Sequence, residues 1–125
     1  MIASRGALSL ALAVAAAAGC SADPYRLDEP RSAAGFELAP YAIHEECVSL
    51  AAGDRIDYFF TSVAPVAFNL HYHDANAVIL PIVRERVTED SAVFTADLKQ
   101  IYCLMWEAGV QPTVLDYRIR LLPRR

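Results

Sequence analysis

Apolar and polar residues alternate with a period of two along most of the chain, from about residue 35 to the C-terminus. Short runs rich in Val, Ile, Phe and Tyr are separated by turn residues at roughly eight- to twelve-residue intervals, the pattern of an all-β sandwich or barrel. The runs predict strands near 36–39, 43–50, 55–62, 66–73, 77–84, 91–96, 100–107 and 113–122. The breaks between them carry turn chemistry: "AAGD", the Ala64-Pro65 dipeptide, "HDAN", "TED" and "EAGVQP". We therefore expect an antiparallel β-sandwich of seven to eight strands over residues 35–125.

Alternation also assigns faces. Near residue 70, Phe68, Leu70 and Tyr72 share one side, and Asn69, His71 and His73 share the other. In the last strand, Leu115, Tyr117, Ile119 and Leu121 oppose Asp116, Arg118 and Arg120. The strand "IYCLMWE" is apolar on both sides, with Ile101, Cys103 and Met105 opposite Tyr102, Leu104 and Trp106. Such a strand is often central in its sheet.

The N-terminal region has a different texture. Arg5 and the amino terminus precede an apolar run, Ala7 to Ala18. A membrane-spanning helix needs about 20 apolar residues, so this shorter run reads as a secretory signal peptide. It ends in "AAGC", Ala17 to Cys20, which resembles the lipobox of bacterial lipoproteins, with Ala17 where Leu is most common. That resemblance implies removal of residues 1–19 and lipidation of Cys20 by a diacylglyceryl group plus an amide-linked chain such as palmitate. Each buried methylene contributes about 0.8 kcal/mol, and two or more chains anchor stably. Ser21 follows Cys20, a pattern that in such lipoproteins goes with the outer membrane. The expected location is the bacterial envelope, facing the periplasm. Residues 20–34, with two prolines and mixed charge, read as a flexible tether.

The whole chain carries 11 basic and 15 acidic residues, a net charge of −4. Only one of those basic residues lies in the signal peptide, so the exported domain is more acidic still. No basic stripe is present, which argues against nucleic acid as a partner and leaves membrane attachment to the lipid.

Cys47 and Cys103 remain once Cys20 is assigned. In an exported chain they are expected to form one inter-strand disulfide. The alternative, a redox pair or metal thiolates, lacks a C-x-x-C spacing. Around these cysteines "EEC", "AAGDRIDYFF", "AVFTAD", "IYCLMWE" and "VLDYRI" resemble the GOLD domain, the luminal β-sandwich of early-secretory-pathway cargo receptors. The corresponding positions are Glu46, Cys47, Gly53, Phe60, Phe94 and the pair Tyr102–Cys103. No coiled coil, transmembrane helix or sorting tail follows the domain in this sequence. The resemblance thus implies an immunoglobulin- or GOLD-like fold and a general interaction role, without vesicle transport.

Two histidines at i and i+2 of a strand can reach one ion, and imidazole suits copper or zinc. His71 and His73 are the metal candidates, with His44, Glu46, Asp74 and Met105 available as further ligands. Set against this, both histidines are also what a solvent-facing side of a half-buried strand would show. A third reading places His71, His73, Tyr102, Trp106 and Arg118 in one binding patch, on the expectation that neighbouring strands align their outer faces. No catalytic motif is evident: there is no G-x-S-x-G, no H-E-x-x-H and no phosphate-cradling glycine loop. The expected function is a non-catalytic envelope lipoprotein that binds a protein or other envelope partner. The alternative is a periplasmic copper- or zinc-binding protein using His71 and His73.

Overall fold

The computed structural model describes residues 11–17, 19 and 22–125. Cys20, the expected lipid site, and most of the expected signal peptide, residues 1–19, lie outside the described residues. Six strands are present: β1 (Arg31–Leu38), β2 (Ile43–Leu50), β3 (Arg55–His73), β4 (Val78–Thr95), β5 (Gln100–Ala108) and β6 (Thr113–Leu121). All pairings are antiparallel, and no helix occurs among the described residues.

The eight expected segments reduce to six because two pairs are continuous. Segments 55–62 and 66–73 form the 19-residue β3, and 77–84 and 91–96 merge, but for their outermost residues, into the 18-residue β4. Pro65 did not end the strand, and the reason is positional. One edge of β3 pairs with β4 throughout. The other edge pairs first with β6, from Ile56↔Leu121 to Ser62↔Leu115, and then with β5, from Val66↔Ala108 to Tyr72↔Tyr102. Pro65 falls in the gap between the two partners, where its missing N–H breaks no ladder bond. Side chains satisfy the backbone there: Ala64 N–H donates to Thr113 Oγ1 at 2.8 Å, and Ser62 Oγ–H donates to the Ala64 carbonyl at 2.7 Å.

The switch of partners gives the strand order β1-β6-β3-β5-β2, with β4 on the far side of β3. The sheet curls so that β5 and β6 face each other: Trp106 stacks on Tyr117 with ring centroids 4.7 Å apart. Phe60 and Phe68 close on the same indole at 5.8 and 5.5 Å. Val48, Ile56, Leu70, Leu104, Leu115 and Ile119 complete the apolar interior. Burying each such side chain contributes about 1.5–3 kcal/mol.

Packed structure begins before residue 35, inside the stretch expected to be a tether. Leu27 is buried in the core cluster, Ser49 N–H donates to the Tyr25 carbonyl at 2.7 Å, and β1 begins at Arg31. Gly35 adopts φ 69° at the β1 bulge between Ala33 and Phe36, a conformation open to glycine at little cost. Its N–H donates to Asp116 Oδ1 at 2.6 Å.

Candidate functional site

Sheet register decides which side chains share a face, because directly paired residues point the same way. Leu70 pairs with Leu104, and Leu104 with Glu46; Phe68 pairs with Trp106, and Trp106 with His44. This is the inner face. His71 pairs with Cys103, and Cys103 with Cys47; Asn69 pairs with Met105, and Met105 with Glu45. This is the outer face.

The expected binding patch is therefore not one surface. Trp106 is fully buried and Tyr102 nearly so, both on the inner face. His71 and His73 lie on the outer face, and Arg118 is exposed on β6, opposite Phe59 on the other half of β3. The outward side of β5 is Cys103 and Met105 instead. Because both sides of β5 are apolar, alternation alone could not choose between them. Nor is His71 solvent-facing: it is 5 % exposed, shielded by its neighbours, whereas His73 is exposed.

On the inner face a chain of polar groups runs along the aromatic cluster. Tyr117 Oη–H donates to Glu46 Oε1 at 2.6 Å. The phenolic proton being used there, the 2.9 Å contact between Tyr117 Oη and His44 is donated by His44 Nε2–H. Arg31 supplies the countercharge, 3.3 Å from Glu46 Oε2, and donates to the Cys47 carbonyl at 2.7 Å. Burial, then the Glu46 hydrogen bond and charge, push the Tyr117 phenol well above its ordinary pKa. Phe36 packs on His44 at 4.2 Å. The buried Trp106 Nε1–H has no hydrogen-bond partner among the described residues. Expected metal ligands His44 and Glu46 are thus committed to this cluster.

On the outer face the Cys47–Cys103 disulfide is formed, with an S–S distance of 2.04 Å. His71 Nδ1–H donates to Asn69 Oδ1 at 2.7 Å, which leaves the Nε2 lone pair free, 3.8 Å from Glu45 Oε1. Burial holds the His71 imidazolium below its ordinary pKa of 6.5, the Glu45 charge opposes this and His73 adds to it. The His71 and His73 rings are 5.3 Å apart. Sequence reasoning did not select Glu45, although its i, i+2 spacing from Cys47 in one strand was the available signal. The chain matches no family model, and no curated protein is similar to it.

A third feature lies along β4. Among the described residues β4 pairs only with β3, so its other edge presents unpaired backbone N–H and C=O groups. Val78, Ile79, Leu80 and Val83 on this strand are 37–50 % exposed. Further on, Arg84, Glu85, Arg86 and Glu89 make the edge polar.

Proposed function

We propose that the chain is a non-catalytic lipoprotein of the bacterial envelope, held by lipid on Cys20, whose β domain docks an extended apolar segment of a partner protein along β4. The observation that carries this reading is the free β4 edge. Charged side chains and prolines are the usual means by which proteins blunt such edges. The second half of β4 has charges; the first half, Val78 to Val83, has only Pro81. An added strand would take its main-chain hydrogen bonds from this edge and seat alternate side chains on the apolar residues. We further propose that the curled sheet is an immunoglobulin- or GOLD-like sandwich. Pairing of Cys47, after Glu46, with Cys103, after Tyr102, supports this.

The test is photo-crosslinking in living cells with a benzophenone amino acid at Leu80, beside the same probe at the exposed Val110. A discrete adduct at Leu80 that vanishes with Val83→Lys and never forms at Val110 supports docking. Equal adducts at both positions would sink it. Loss of palmitate labelling in Cys20→Ala tests the anchor separately.

A second reading, a periplasmic copper or zinc protein using His71 and His73, is favoured by the free Nε2 of His71 beside the His73 ring. Copper titration of the disulfide-bonded chain, with and without His73→Ala, tests it.

A further inference from the structure

We propose that the outer face of β2, β5 and β3 holds a latent metal site, formed by Cys47, Cys103, Glu45 and His71, that opens when the disulfide is reduced and takes a divalent cation of the zinc class. The proposal is independent of the β4 edge and uses a ligand set different from the His71–His73 pair.

Placement is the first argument. Cys47, Cys103 and His71 form one row across three neighbouring strands. A Glu45 carboxylate oxygen and the two sulfurs lie within 4.8 Å of one another; His71 Nε2 stands outside that close group, 3.8 Å from Glu45 Oε1, and would have to swing towards the sulfurs to complete the set. Two thiolates, an imidazole and a carboxylate make four donors of the kinds that bind zinc tetrahedrally, at about 2.0–2.3 Å.

Orientation is the second. Metal-bound histidines generally donate their other ring N–H to an oxygen, which fixes the tautomer. His71 already does so through Nδ1 to Asn69.

Access and redox state are the third. In the oxidised protein each sulfur is bonded to the other and offers no thiolate. Cys103 is buried, but Cys47 is only half-buried and Glu45 is exposed, so the bridge can be reached from the Cys47 side. A thiolate of a small dithiol attacks Cys47 Sγ, the S–S bond breaks, and Cys103 leaves as thiolate. The second thiol of the reductant resolves the mixed disulfide and releases Cys47. The reductant ends as a cyclic disulfide; two electrons and two protons have passed to the protein. The incoming cation then displaces the two thiol protons.

The experiment uses the full-length chain, oxidised or reduced with dithiothreitol and freed of it anaerobically, titrated with Co²⁺ and then Zn²⁺. Reduced protein is expected to bind one Co²⁺ with a thiolate-to-cobalt charge-transfer band and tetrahedral visible bands, bleached by Zn²⁺. Oxidised protein should show neither. Asn69→Ala, which frees His71 Nδ1, should weaken binding about 10–100-fold, His71→Ala should shift the visible bands, and His73→Ala should change nothing. Absence of the charge-transfer band in reduced protein overturns the proposal, as does undiminished binding by the Cys47→Ser/Cys103→Ser variant. Circular dichroism is followed in parallel: reduction that unfolds the chain, without recovery on adding Zn²⁺, overturns it equally.

Discussion

His44 and His71 stand on opposite faces of the same curled sheet, and their surroundings differ in kind. His44 has its Nε2–H engaged by Tyr117, its ring packed between Phe36 and Trp106, and Glu46 and Arg31 completing the chain of partners. His71 has one nitrogen fixed by Asn69 and the other free beside an exposed carboxylate and a disulfide. The first arrangement spends the polar capacity of its groups on holding β1, β2 and β6 together. The second keeps capacity in reserve. Burial alone does not distinguish them, since His71 is the more buried of the two. What separates structure from chemistry here is whether hydrogen-bonding valence is left over.

The contrast is open to direct attack, beginning where the effect is largest. Trp106→Ala removes the ring on which His44, Phe60, Phe68 and Tyr117 pack and should cost about 3–5 kcal/mol in urea unfolding. Loss below 1 kcal/mol would mean that the inner face is not the organising core. On the outer face, Cys47→Ala/Cys103→Ala should cost about 2–4 kcal/mol, measured on the same denaturant curves.

Tyr117→Phe leaves Glu46 and the His44 Nε2–H without their shared partner, and about 1–3 kcal/mol should be lost. Its pH signature is distinct. The folded phenol has a pKa raised above the ordinary 10.0, so its contribution is complete below pH 10 and falls as pH rises beyond that value. The variant should therefore show a shallower alkaline decline in stability, though not a flat one. Tyr58, likewise raised by burial and by its bond to Asp90, continues to contribute.

The smallest effect belongs to His71. Its folded pKa is depressed below 6.5, so stability is full above that pH and is lost as pH falls below it. His71→Gln should flatten this acid limb while leaving the neutral-pH midpoint nearly unchanged, as followed by thermal unfolding at successive pH values. An unaltered acid limb would place the titrating group elsewhere.

Much of this geometry was legible in the sequence, and the parts that were not share a cause. The faces of β6 and of the second half of β3 follow from clean alternation: Leu115, Tyr117 and Ile119 are inside, and so are Phe68 and Leu70. For β5 the alternation is silent, because Cys103 and Met105 are as apolar as Leu104 and Trp106. Only cross-strand register resolves it, and register is a long-range property. Pro65 reads as a break because proline usually ends a central strand; a gap between two successive partners on one edge is invisible locally. The cysteine bridge was legible from counting and from the expectation of export. Of its neighbours, Glu45 was within reach, two residues before Cys47 in β2, whereas His71 is brought to the bridge only by the β3–β5 pairing. Leu27 was hidden by the prolines and charges around it.

Leu27 also bears on distance. Its burial and the Tyr25–Ser49 hydrogen bond bring the folded part of the chain to within a few residues of Cys20. With a lipid on that cysteine, the leash to Tyr25 would be five residues, at most about 17 Å of chain. A domain on so short a leash would lie against the bilayer with the Tyr25 side of β2 towards the headgroups. Whatever docks on it would then have to approach along the membrane surface rather than from across the compartment.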